Sequence, residues 1–312
     1  MIRPRQVAGG QLLQRPAPAL GGAYRPPPVE AMKAAVIALR AGHFDSAGPG
    51  DDRIPTETVG PSFGPVPWSA AELGTPTVVV VAGHAGAGAS TVALAVAEAL
   101  CGRWRVQLVE YSDPRRSGLG AASCSELGVD EVGWRRGRRG PLELTRMGAG
   151  HDLARCLPPP PPSTAQQQGL PVGDWLVVLD LGWAATSRLS QSAWLPAVMG
   201  SAELVVVSRL TVPGVRQTEH VLTAVGVPAV VAAVGSGRWP GEVSASCGPV
   251  LKAARDAGRV VMVPVDRRLE ISGLTADALP KTVAAAGRAL AARLSPGQPV
   301  LPGVSVSHGE GF

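Results

Sequence analysis

The sequence predicts an α/β protein built on a mostly parallel, doubly wound sheet. Three observations lead there. Short apolar, β-branched runs alternate with stretches of helix-forming residues from Thr77 to Leu294, and that alternation specifies a parallel sheet covered on both faces. The run Thr77–Ala82 (TVVVVA) is apolar after its threonine, as a strand buried on both faces must be. It ends in a glycine-rich turn from which a helix opens, Ser90–Leu100 (STVALAVAEAL).

In chain order, residues 1–28 are rich in Pro, Gly, Gln and Arg without apolar periodicity, and are expected to be a flexible tail. Residues 29–44 include EAMKAAVIALRAGHF, whose Met32, Val36, Ile37 and Leu39 suit a short amphipathic helix ending near Gly42. Residues 45–76, with Pro55, Pro61, Pro65 and Pro67, read as a linker. One domain is expected over 77–294. Its further strands are Val106–Glu110, Trp175–Asp180, Leu204–Ser208, Ala229–Val234 and Val260–Val263, with Leu142–Arg146 a candidate for one more. Helices are expected near Ser192–Met199, Val215–Val225, Ser244–Ala257 and Ala276–Leu294. The run Pro158–Gln168 (PPPPPSTAQQQ) interrupts the pattern and is expected as an exposed insertion. Residues 295–312 are expected to be a second flexible tail.

Composition narrows the classes. A chain of 312 residues that is 45% hydrophobic can build a core, which excludes wholesale disorder. No apolar run approaches the ~20 residues of a membrane-spanning helix. The start is basic but has no apolar core of a secretory signal, so a cytoplasmic location is expected. Four cysteines without a CxxC pair give neither a disulfide framework nor a zinc site. The net charge of +5 comes almost wholly from arginine, the lysines being Lys33, Lys252 and Lys281. The five histidines lie in unlike contexts, no GxSxG precedes a helix, and neither HExxH nor GxGxxG is present. No catalytic residue is assigned.

The most informative stretch is Gly83-His84-Ala85-Gly86-Ala87-Gly88-Ala89-Ser90-Thr91, between a buried strand and a helix. Glycines there let backbone N–H groups curl around an anion at a helix N-terminus. Against the phosphate-loop consensus GxxxxGK[ST], the spacing from Gly83 to Gly88 fits and Ser90 holds the hydroxyl position, but Ala89 replaces the lysine. That removes the cation that reaches the β- and γ-phosphates. A ligand-free tight turn is the competing reading.

With the segments downstream, this loop resembles that of the ParA/MinD family of deviant P-loop ATPases, whose form is xGKGGxGKTT. On that form His84 stands at the signature-lysine position and Ala89 at the second lysine, while Gly86, Gly88, Ser90 and Thr91 match. Leu108–Pro114 (LVEYSDP) resembles the family's second strand and its acidic DxDP-like switch, for which Glu110 and Asp113 are the acids present. Trp175–Gly182 is similar to the strand that ends in the Mg²⁺-associated aspartate, here Asp180. Ala202–Val207 with the helix after Pro213 resembles the next strand and helix, and Val263–Leu269 (VPVDRRL) a late segment of the form IPyDprl.

The resemblance covers Thr77 to Leu294 and implies a sheet of P-loop NTPase type. It further implies ATP or ADP held at Gly83, Gly86, Gly88, Ala89, Ser90 and Thr91, with Mg²⁺ at Ser90 and Asp180 and Asp113 as switch acid. Its members position DNA, septum, secretion or conjugation machinery in bacteria, which implies a protein partner or a second copy of the chain. Two departures weigh against hydrolysis. Both lysines are absent, and Gly235-Ser236-Gly237 stands where the family has an asparagine that helps read adenine. The expectation is a pseudo-ATPase with weak or no hydrolysis; weak nucleotide binding and no cofactor at all stand as equal alternatives. An active ATPase with a substitute cation, from an arginine elsewhere or a second subunit, also stays open.

A last alternative rests on Gly133–Gly140 (GWRRGRRG), which holds Arg135, Arg136, Arg138 and Arg139 beside Trp134. As an anion patch it would bind nucleic-acid phosphates while Trp134 stacks on a base. The favoured reading is a solvated surface loop whose arginines pair with acids such as Glu131 and Glu143. Trp175, Trp183 and Trp194 are expected in the core or its cover.

Overall fold

Backbone pairing follows the apolar runs. The computed structural model describes residues 75–112, 114–148, 157–163, 174–183, 192 and 194–296. Its strands are β1 (Thr77–Ala82), β2 (Arg105–Glu110), β3 (Ser125–Val129), β4 (Trp134–Arg139), β5 (Leu142–Met147), β6 (Trp175–Gly182), β7 (Glu203–Arg209), β8 (Val230–Gly235) and β9 (Val260–Pro264). Its helices are α1 (Ala89–Leu100), α2 (Leu195–Met199), α3 (Val212–Val225), α4 (Gly241–Ala245), α5 (Pro249–Asp256), α6 (Arg267–Ser272) and α7 (Lys281–Ala291). The strands form one sheet in the order β3-β4-β5-β2-β6-β1-β7-β8-β9. From β5 to β9 neighbours are parallel, while β3 and β4 are antiparallel. The chain leaves β1 toward β2 on one side and later returns across β1 to β7 on the other. β1 is therefore at the switch point, where an open α/β sheet has its crevice.

Side-chain alternation along β1 feeds two cores. Val78 and Val80 pack with Leu94 and Val96 of α1 and with Val283 and Leu290 of α7. Val79 and Val81 pack on the opposite face with Val215 and Leu222 of α3 and Leu251 of α5. Each such valine, fully buried, contributes about 1.5–3 kcal/mol relative to exposure. Gly287 lets α7 lie against α1, since a Cβ there would stand 2.3 Å from the Ala95 carbonyl oxygen. The helix that begins at the glycine loop is thus clamped between sheet and α7.

The doubly wound architecture is as expected, and several local expectations are corrected. The arginine-rich stretch is a strand, β4, not a loop. Its alternation turns Trp134 and Arg136 to one face and Arg139 to the other, where each arginine finds a carboxylate. Arg136 pairs with Asp130 at 3.0 Å and Glu143 at 2.9 Å, and Arg139 with Glu98 of α1. Glu131 takes no part in these pairs. Trp134 is a core residue, edge-on to Tyr111, and cannot stack on a base. Arg135 and Arg138 alone of the four remain on the outer surface.

Over its described residues, 158–163, the proline run is cover rather than an exposed insertion, and residues 164–168 lie outside the described residues. Pro161 and Ser163 are buried, and the Pro161 and Pro162 carbonyls accept from Gln107 Nε2 (3.2 Å) and Arg136 (3.0 Å). An extended proline backbone leaves its carbonyls without internal partners, so they are available to such donors. The expected helix at Ser244–Ala257 breaks into α4 and α5, because Pro249 starts a new helix whose Val250 and Leu251 N–H groups donate to Glu219 of α3. The helix expected from Ala276 starts only at Lys281, after Pro280. The helix expected from Ser192 shortens to α2. Trp175 and Trp194 are buried, but Trp183 is 58% exposed. The tail, amphipathic-helix and linker expectations over 1–74 and 297–312, and Asp113, lie outside the described residues. Among the described residues no helix is long and apolar enough to cross a membrane.

Candidate functional site

The glycine loop turns at the carboxyl end of β1 because its glycines permit what other residues would not. Gly86 and Gly88 adopt φ of 74° and 96°, a left-handed backbone that costs other residues free energy. Gly83 instead is required by packing: a Cβ there would stand 2.2 Å from Thr218 Oγ1 of α3. The Gly83 N–H donates to Val207 O and the Ala87 N–H to His84 O, so the loop is tied to β7 and to itself. Gly88 is then the N-cap of α1, with no side chain capping the helix. The first N–H groups of α1, from Ala89, Ser90 and Thr91, have no intrahelical partner and need an acceptor from outside. They carry the positive end of the helix dipole.

A cleft of about 500 Å³ opens in front of them. Ala85 to Thr91 form one wall; Ser112, Arg116 and Gly118 after β2, Leu181–Trp183 after β6, and Gly273–Leu274 complete it. All sequence-predicted loop residues except Gly83 line this cleft. Ala89 is buried, 7% exposed, and its methyl group brings no charge. His84 does not line it. The ring Nε2 accepts the Arg209 N–H (3.1 Å), while Nδ1 stands 2.9 Å from Ala85 O. A backbone N–H can only donate, so Nε2 must hold a lone pair and Nδ1 the proton. The ring is therefore neutral in this arrangement, and Gly214 makes room for it, since a Cβ there would lie 2.9 Å from Nε2.

Beyond Ser90 lie two carboxylates. Glu110 and Asp180 are register partners at the ends of β2 and β6, and both are fully buried. Glu110 accepts from the Gly118 and Leu119 N–H groups (2.7 and 3.2 Å) and from the Ser117 hydroxyl. Burial and then the Asp180 carboxylate push its pKa up to about 7, against those three donors, which favour the charged form. Asp180 Oδ1 accepts the Gly182 N–H at 3.0 Å. A Cβ on Gly118 would stand 2.6 Å from Ser90 Oγ and 3.8 Å from Glu110 Oε1. The loop after β2 is thus seated between the serine and the glutamate. Of the two residues expected to hold Mg²⁺, Ser90 lines the cleft, whereas Asp180 is fully buried and does not line it; a hydroxyl and a carboxylate are hard oxygen donors of the kind Mg²⁺ takes. Among the described residues no cluster of three or more His, Cys, Asp or Glu groups forms a metal cage.

A smaller cavity of about 180 Å³ lies on the other side of the loop. Val234, Val263, Val265 and Leu269 give it apolar walls, and Asp266 and Glu270 its polar rim. Asp266 is engaged as the cap of α6, accepting from the Arg268 and Leu269 N–H groups, and Glu270 pairs with Arg209 at 2.7 Å. Gly235, at the end of β8, packs on Leu210: a Cβ there would meet Leu210 Cδ1 at 2.9 Å. Sequence reasoning passed over Arg116. Its only signal was its place just past the acidic end of β2, which does not say which way a side chain faces.

No protein-family model matches the chain, and no curated protein does. Among solved structures it is similar to the MinC:MinD cell division protein complex of Aquifex aeolicus, at 13% identity and TM-score 0.48, over 72% of this chain and 98% of that one. A plasmid partition protein of Borrelia burgdorferi bound to AMPPNP is similar at 12% identity and TM-score 0.43, over 69% and 98%. The cell division ATPase MinD of Pyrococcus furiosus is similar at 16% identity and TM-score 0.42, over 70% and 97%. The reading of the site rests on this chain's own residues.

Proposed function

We propose that the chain is a ParA/MinD-like phosphate-loop protein that binds the phosphates of ATP or ADP weakly, hydrolyses them little or not at all, and acts through protein partners. One observation carries this reading: an uncapped helix start and left-handed glycines line a cleft where both lysine positions are without charge. Backbone amides suffice to hold an anion. Efficient phosphoryl transfer needs a fixed cation on the developing charge, and neither Ala89 nor the neutral His84 supplies one. Ser90 and Asp180 are the residues to hold Mg²⁺ with the nucleotide, and the small apolar cavity across the loop is the place for a base. The sequence resemblance supports a role in a bacterial partitioning, secretion or conjugation-type system, with a partner protein or a second copy. A nucleic-acid module built on the arginine stretch is disfavoured, because Arg136 and Arg139 are engaged by carboxylates.

Isothermal titration of the full chain with Mg-ATP and Mg-ADP, beside a phosphate-release assay, tests the reading. Weak binding without release above background is expected. Ala89→Lys should then tighten Mg-ATP by about tenfold or more, the worth of one charge-assisted phosphate contact. A folded Ala89→Lys protein that binds no better would show that the loop is no phosphate site.

A further inference from the structure

Several arginines of this domain are engaged by carboxylates. Arg136, Arg139, Arg146, Arg209 and Arg268 each hold a carboxylate. Arg116 differs. It ends the short 3₁₀ turn Pro114–Arg116, is exposed, and has neither an ion pair nor a side-chain hydrogen bond among the described residues. It nonetheless lines the glycine-loop cleft, and among the described residues it is the only charged one that does so. Its position is not left to a free loop. The next three residues, Ser117, Gly118 and Leu119, all donate to the Glu110 carboxylate, and Gly118 is wedged against Ser90. The segment that bears Arg116 is therefore anchored to the end of β2 and to the first turn of α1.

We infer that Arg116 is the phosphate-binding cation of this site, supplied from the loop after β2 in place of the lysine that Ala89 lacks. The inference rests on the phosphate-binding reading above and adds to it the residue that makes binding specific for a polyphosphate. The chemistry suits an arginine. A guanidinium presents several N–H donors in a plane that matches two phosphate oxygens at once, and it stays charged at any working pH. A small Ala89 leaves room beside the helix start for a side chain arriving from across the cleft. Because Arg116 sits on a segment tied to Glu110 rather than on the glycine loop, ligand binding and the seating of that segment are coupled.

Titration of the full chain with Mg-ATP and Mg-ADP separates this inference from the reading it rests on. The unmodified protein is expected to bind, Arg116→Ala to lose about tenfold or more, and Arg116→Lys to recover part of the loss. Arg135→Ala, which removes an exposed arginine outside the cleft, controls for net charge and should bind as the unmodified protein does. In the double variant Ala89→Lys/Arg116→Ala, the gain from the lysine should offset the loss of the arginine and return the affinity to that of the unmodified protein, the sum of the two single effects. Unchanged affinity in Arg116→Ala, with normal folding by circular dichroism, overturns the assignment and leaves phosphate binding standing. No binding by the unmodified protein overturns both.

Discussion

At the residue scale, one buried acid sets the chemistry of the site's inner corner. Glu110 is fully buried beside Asp180, and its pKa is raised from 4.5 to about 7. An acid whose pKa rises on folding binds its proton more tightly in the folded than in the unfolded chain. Its contribution to stability is therefore fully present below about 4.5 and declines as pH climbs to about 7, with no further change above. The difference amounts to about 3 kcal/mol over that window, at about 1.4 kcal/mol per unit. Glu110→Gln keeps an oxygen for the Gly118 and Leu119 amides and removes the charge. In chelator-treated protein, the gap in urea midpoint between variant and unmodified chain should widen in the variant's favour from pH 5 to pH 7.5. A gap that does not move with pH would show that Glu110 is not held near neutrality. The loop residues follow a different logic: Gly83, Gly86 and Gly88 are there for space and backbone sign, not for charge.

At the element scale, β4 shows how alternation can hide function-like composition inside structure. Four arginines in six residues look like a surface patch. In the sheet, two of them fasten the antiparallel edge to the parallel body. Arg139 reaches Glu98 of α1 and the carbonyls of Ala122 and Thr275, so it joins the edge strands to the helix of the glycine loop. Removing one member of a buried ion pair leaves the other charge uncompensated and costs about 3–5 kcal/mol. Arg136→Ala and Arg139→Ala are thus expected to destabilise the protein by roughly that amount, and Arg135→Ala and Arg138→Ala by less than about 0.5 kcal/mol. Chemical denaturation of the four single variants measures this. Equal effects across the four would contradict the inward and outward assignment.

At the scale of the whole molecule, the sheet brings three distant segments to one cleft. The turn after β1, the turn after β2 and the end of β6 meet there because β1 lies between β6 and β7 at the switch of strand order. A ligand held by all three stabilises the folded chain and not the unfolded one. At a hundredfold excess over its Kd, Mg-ADP should add about 2.7 kcal/mol, which for a domain of this size raises Tm by about 5–10 °C. Trp183, exposed on the cleft's lip, is placed to report the same event by its fluorescence. A melting temperature indifferent to Mg-ADP would mean that the three segments meet without making a nucleotide site.

The sequence by itself determined the layered α/β class, the central strand and the glycine loop at its carboxyl end. Those features are local: a run of valines buries on both faces wherever it lies, and glycines at fixed spacing turn a strand into a helix. It also showed, through Ala89, that the usual lysine is absent. Only the tertiary structure decided the rest, because the rest depends on partners far away in the chain. Arg136 and Arg139 are inside because Glu143 and Glu98 await them, the prolines near 161 pack because Gln107 and Arg136 donate to their carbonyls, and His84 is neutral because β7 presents the Arg209 N–H. Arg116 lines the glycine-loop cleft for the same kind of reason, since the loop that carries it is anchored by Glu110 and seated against Ser90. Composition and spacing encode what a residue can do, whereas the opposing side chains brought near by the fold fix which of those things it does.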